Sequence, residues 1–173
     1  MSRLRPPVGA DDHALGSADA PVTLVEYGDY ECPHCGAAHP IVKRALRKLG
    51  KHVRFVFRNF PLGEMHPHAV QAACAAEAAG LQDAFWEMHD HLFEHQNALE
   101  RDDLIAYAKT LGLDAARFAR DLDDPSIEER VRRDFASGVR SGVNGTPTFF
   151  IQGQRFDGSW DEASLVEAVR ASG

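Results

Sequence analysis

Val22-Thr23-Leu24-Val25-Glu26-Tyr27-Gly28-Asp29-Tyr30-Glu31-Cys32-Pro33-His34-Cys35 carries an apolar run straight into a pair of cysteines. Val22 to Tyr27 is a short, apolar, β-branched run of strand length. Pro33 to Leu49 reads as a helix. Its last turns carry Lys43, Arg44, Arg47 and Lys48, which suit the negative end of the helix, and Gly50 stops it. Val53 to Phe57 is the next strand, closed by Asn59-Phe60-Pro61. Strand, helix, strand predicts a right-handed βαβ unit with parallel strands.

The two cysteines fall at the start of that helix. With Cys32 at the N-cap, Pro33 takes the first helical position, where a missing N–H costs nothing. The free N–H groups of His34 and Cys35 then point back at the Cys32 sulfur. The positive end of the helix favours an anion there, and a protonated His34 would add to it. Each effect favours Cys32 as thiolate, the nucleophile of disulfide exchange. Cys35 is close enough in sequence to form an internal disulfide, and it sits deeper as the resolving thiol. Two other readings of the spacing stay open: half of a structural zinc site, or two packed thiols without chemistry. The strand before and the helix after favour redox.

Working outward, residues 1–20 are polar, contain Pro and Gly, and read as a loose lead-in. From about Pro67 to Ser141 the chain is Ala-rich and helical in period, divided by Gly80, Gly112 and Pro125 into four or five helices. Ile127, Val131, Phe135 and Val139 form one apolar stripe. Strand character returns in Thr148-Phe149-Phe150-Ile151. A turn at Gln152-Gly153 leads to a short strand near Arg155-Phe156, and a last helix opens on a Ser159/Glu162 capping box. The expected organisation is a lead-in (1–20), an α/β domain in two pieces (21–65 and 142–173) and an inserted helical domain (66–141).

The chain has 173 residues, 44% hydrophobic and 26% charged, which suits one domain, or one domain with a large insertion. A net charge of −7 offers nothing to offset phosphate, so no nucleic-acid or anionic-membrane partner is expected. No stretch reaches transmembrane length. Arg3 and Arg5 come early, but no apolar run of signal-peptide length follows them. The expectation is therefore a cytoplasmic protein, or a periplasmic or other extracytoplasmic one if a leader has been removed. Three cysteines, two of them in one CxxC, do not make a secreted disulfide scaffold.

Glu26 interrupts an apolar strand six residues before Cys32. It either reaches water at the strand end or has a raised pKa suited to proton exchange with Cys35. Arg58 is a candidate partner for it, or a solvent-facing charge. Pro40 should kink the first helix, unless the helix begins only after it. His66, His68, His89, His91 and His95 lie in or near the helical block. His91 and His95 are four apart, but without further ligand pattern they read as surface histidines, and no metal site is assigned. Cys74, within Ala72-Ala73-Cys74-Ala75-Ala76, reads as a small core residue. Phe85, Trp86, Met88 and Phe93 read as a helix core face.

From about Gly16 onward the chain resembles the DsbA-like branch of the thioredoxin superfamily. The resemblance rests on Val22–Tyr27 leading into Cys32-Pro33-His34-Cys35, on Phe57-Arg58-Asn59-Phe60-Pro61-Leu62, on the helical block, and on Gly145-Thr146-Pro147-Thr148-Phe149-Phe150. It implies a thioredoxin-like α/β fold with a helical insertion domain that covers the active site. It also implies a protein-disulfide oxidoreductase with Cys32, Cys35, His34 and Glu26 as catalytic residues. Pro147 should be cis beside the cysteines. Pro33, Thr146 and Pro147 should bind substrate, with the Thr146 backbone pairing an extended segment. Glu26 matches the superfamily's buried acidic residue and Pro40 its helix-kinking proline. No cofactor is implied beyond a redox-active Cys32–Cys35 disulfide. The implied partners are protein thiols and disulfides, with glutathione or a recycling protein. A CPHC centre points to an oxidase. Threonine before the proline recurs in isomerases and cytosolic branches, so reductase and isomerase readings stay open, as do a metal-binding and an adaptor module.

Overall fold

Two parallel, almost wholly buried strands organise the molecule, and a computed structural model describes residues 2–173. β1 is His13–Leu15, β2 Val22–Gly28, β3 Val53–Asn59, β4 Thr148–Ile151 and β5 Gln154–Phe156. The helices are α1 Pro33–Leu49, α2 Ala69–Gly80, α3 Phe85–Glu94, α4 Arg101–Thr110, α5 Ala115–Leu122, α6 Pro125–Arg140 and α7 Glu162–Ala171. One mixed sheet has the order β1-β3-β2-β4-β5. β2 and β3 are parallel, as the βαβ reading requires, and every other pair is antiparallel. The chain is a mixed α/β thioredoxin-like fold.

β2 and β3 are central strands, buried at six of seven positions, which explains their near-continuous apolar runs. Val22, Leu24, Phe55 and Phe57 face a core shared with α1, α2, α3 and α7. Val25, Tyr27, Val56 and Phe150 face a second core, closed by Leu4 and Val143. α2 to α6 all fall between β3 and β4. α2 is alanine on most of its circumference and is buried almost all round. A helix without a polar face must be surrounded, and α3, α4, α5 and α6 all pack on it.

Four expectations need correction. Met1 lies outside the described residues, and residues 2–20 are not a loose lead-in: Leu4 is buried, Arg3 bridges to Gln154, and β1 pairs with β3. His13 anchors β1 by stacking on Phe85 and pairing with Glu77 at 2.9 Å. Arg58 neither faces solvent nor pairs with Glu26. It is 2% exposed and donates two hydrogen bonds to Asp12, each 2.9 Å, and a third to Tyr27 Oη. Its bidentate fork takes the nearest carboxylate, and the ordered N-terminal segment supplies it. Val139 leaves the apolar stripe at 57% exposure. Four-residue steps overshoot the helical turn by about 40° each, so the buried face passes to Asp134, Ser137 and Gly138. The α7 cap is Asp161, not Ser159. Asp161 accepts from Ser164 N–H, while Glu162 reaches back to Arg44 and Lys48 of α1.

Candidate active site

Proline at the first helical position seats Cys32 as the N-cap of α1, with extended backbone. Pro40 lies inside that helix, which begins at Pro33. Cys32 is 4% exposed and Cys35, one turn deeper, is fully buried; both are free thiols. The chain after α6 returns to this point. The Thr146–Pro147 peptide is cis, and the Cys32 thiol donates to the Thr146 carbonyl at 3.6 Å. Sequence positions 26, 32–35 and 146–147 are thus gathered at the C-terminal ends of β2 and β3 and the start of β4.

The electrostatics separate the two thiols. The Cys35 thiol, the Thr146 side chain and the backbone N–H groups of Cys35 and His34 hold the Cys32 pKa down to about 5 against a desolvation cost. Burial first, then its own bond to Cys32, pushes Cys35 well above the ordinary thiol range. Glu26, 3% exposed, is raised to about 8, chiefly by desolvation and then by the charge of Cys32. One thiolate, one thiol and one protonated carboxyl therefore coexist near neutral pH.

His34 and Pro33 are exposed at the rim, so both can meet a partner molecule. The imidazole that answers the Cys32 charge is His66. Burial opposes its protonation, but its 2.8 Å bond to Asp29 and the charges of Asp29 and Cys32 raise its pKa. Asp29, 1% exposed, also accepts from the N–H groups of Glu31 and Leu62 and so ties the Cys32 loop to the loop after β3. Gln96, after α3, donates to the carbonyls of Tyr30 and Cys32, each at 2.9 Å. Its side chain lies where a Cβ on residue 36 would sit, so Gly36 leaves it room. Asp29 and Gln96 carry no local sequence signal, and His66 stands out only as one histidine of several; a glycine directly after the second cysteine is the one feature that could have marked a close approach.

The remaining sequence candidates lie elsewhere. Cys74 is buried in α2, where desolvation raises its thiol to about 11. His91 and His95 stack on each other, with the His95 ring bonded to the His91 carbonyl. Phe85, Met88 and Phe93 are core residues, with Trp86 half-buried against them.

The sheet order, the dithiol at the head of α1 and the facing cis proline define a thioredoxin-like protein. The chain belongs to the thioredoxin family, whose model matches residues 9–171. Its solved structural neighbours are DsbA-like. A thioredoxin-like oxidoreductase from Silicibacter pomeroyi DSS-3 is 27% identical, with a TM-score of 0.84 over 95% of this chain and 93% of that one. BdbD from Bacillus subtilis is 26% identical, with a TM-score of 0.84 over 93% of this chain and 92% of that one. Among curated proteins, a Salinispora arenicola protein named Na(+)/H(+) antiporter NhaA 1 is 48% identical over 96% of this chain and 26% of its own length. A Herminiimonas arsenicoxydans protein named Na(+)/H(+) antiporter NhaA is 46% identical over 98% of this chain and 27% of its own length. The chain spans about a quarter of the length of these relatives. No helix of the described residues is long and apolar enough to cross a membrane.

Proposed function

We propose that the protein exchanges disulfides with protein substrates through Cys32 and Cys35, in the oxidising direction. The observation that carries this reading is the contrast between Cys32, with a pKa of about 5, and Cys35, held well above 9, at one helix start.

Magnitudes decide the direction. At neutral pH a thiol of pKa about 5 is roughly 100-fold more ionised than one of pKa 9. The same four-unit fall lowers its intrinsic nucleophilicity roughly 40- to 100-fold. As an attacking group Cys32 gains almost nothing. As a leaving group it gains the whole effect, because a low-pKa thiol leaves faster.

The steps follow. A substrate thiolate attacks Cys32 Sγ of the Cys32–Cys35 disulfide, the S–S bond breaks, and Cys35 departs with the electron pair. Glu26, protonated at neutral pH, supplies the proton that makes Cys35 a thiol. A second substrate thiolate then attacks the substrate sulfur of the mixed disulfide, and Cys32 leaves as a stable thiolate. The substrate is oxidised by two electrons and the pair is left reduced. The Thr146 backbone and Pro147 flank Cys32 and suit an extended segment laid alongside them. Oxidised glutathione, or the disulfide of a dedicated partner protein, takes the two electrons and is reduced to thiols as the pair returns to the disulfide. An oxidant of this kind would stay reduced in a glutathione-buffered cytosol, so this direction goes with an extracytoplasmic location.

Equilibration against glutathione buffers tests the reading. At neutral pH the Cys32 thiolate stabilises the reduced form by at most about 2.7 kcal/mol, which raises the potential by up to ~60 mV. A potential well above the thioredoxin-like value of about −270 mV is expected. A thioredoxin-like value would contradict the oxidising direction and favour a reductase on the same site.

A further inference from the structure

Behind the cysteine pair, a cavity of about 220 Å³ opens between α1 and α3 and reaches the Glu26 carboxylate. His39 of α1 and His89 and Asp90 of α3 line it. His39 is 7% exposed, and its Nε2 is buried with no hydrogen-bond partner. A polar atom of this kind is costly unless something occupies the space in front of it. The disulfide exchange proposed above makes no use of it.

We propose that His39, His89 and Asp90, with Glu94 at the rim, form a binding site for a divalent transition metal of the zinc class. A ring nitrogen of His89, a ring nitrogen of His39 and an Asp90 oxygen lie within 4.8 Å of one another. His39 Nε2 is 3.4 Å from Asp90 Oδ1 and 3.6 Å from Glu94 Oε2. Donors of a tetrahedral zinc ion, with bonds near 2.0–2.1 Å, stand about 3.3–3.4 Å apart. The His39–Asp90 and His39–Glu94 separations are close to that spacing, and the His89 nitrogen lies within 4.8 Å of the His39 and Asp90 donors.

The surrounding groups agree with that use. His89 Nδ1 is bonded to the Tyr30 hydroxyl at 2.8 Å, the type of outer contact that fixes the ring of a ligating histidine. Lys43 is the nearby cation, and it takes Asp90 Oδ2 at 2.9 Å, leaving Oδ1 turned toward His39. Asp90 is half-buried, so an ion can enter and keep a water. Two imidazoles with carboxylate oxygens suit zinc, cobalt or nickel better than magnesium or calcium. A cation held here clips α1 to α3 and stands in the cavity that reaches Glu26, whose charged form it favours.

The test uses Co²⁺ added to the full chain with Cys32 and Cys35 oxidised, which removes their thiolates as competing ligands. One equivalent of Co²⁺ is expected to bind, with visible d–d absorption and no sulfur-to-metal charge-transfer band. His39→Gln and Asp90→Asn should each weaken binding at least tenfold. Asp90 is far more exposed than His39, so Asp90→Asn carries the test alone if His39→Gln does not fold. Absence of the d–d bands, a thiolate band, or equal binding by Asp90→Asn would overturn the proposal.

Discussion

Cys32→Ser removes disulfide exchange in both directions, a loss on the order of 10³-fold or more, while Cys35→Ser stops the reaction halfway. The asymmetry comes from the geometry. Cys32 is the sulfur at the rim, beside Pro147, and every covalent step passes through it. Cys35 is fully buried and can reach only Cys32. Without Cys35, a mixed disulfide on Cys32 has no internal thiol to release it, so it accumulates. Non-reducing gels of Cys35→Ser protein mixed with an oxidised substrate should show a reducible adduct. Cys32→Ser should show none. Equal adducts from both variants would make the two sulfurs equivalent and remove the assigned roles.

Glu26→Gln removes a pH-dependent destabilisation that grows between mildly acid and neutral pH, to at most about 3 kcal/mol for a pKa as high as about 8. The folded-state pKa of Glu26 is about 8, against an ordinary value of 4.5. Between those values the folded protein keeps a proton that the unfolded chain releases. Stability associated with Glu26 is therefore complete below about pH 4.5 and falls by about 1.4 kcal/mol per unit until about pH 8. In the reduced protein Cys32 opposes this. Its folded pKa is depressed, so its contribution rises with pH above about 5. The disulfide form lacks that thiol and leaves the Glu26 slope visible. Its pKa there is lower than in the reduced form, but burial, the larger cause, remains. Urea unfolding of the oxidised protein should show the parent losing ground to Glu26→Gln as pH rises. Parallel stability curves would show that Glu26 is not held protonated.

The features legible in the sequence were local ones. Cys32, Pro33 and Gly50 mark the ends of α1 by their own backbone preferences, and an acidic residue in an apolar strand stands out without a partner. The sheet around them followed because parallel strands need a crossover. What stayed hidden depends on distant pairs. Asp12 meets Arg58 across 46 positions and Gln96 meets Cys32 across 64. A three-residue β1 inside a Pro/Gly-containing lead-in has too little pattern to read. His34 illustrates the same limit. The helix start draws attention to it, and it is exposed there, whereas His66 is brought to the Cys32 charge through Asp29, 37 positions away. The Val139 error was one of period, a four-residue spacing taken as a full turn.

The head of α1 and the Cys35 thiol both favour Cys32 as a thiolate at neutral pH. Titrating the reduced protein from acid to alkaline pH, by ultraviolet thiolate absorbance and by the rate of Cys32 alkylation, reads this directly. A single thiolate ionising with a midpoint near pH 5, lost in Cys32→Ser, is the expected result. A midpoint near 9, the ordinary thiol value, would contradict it.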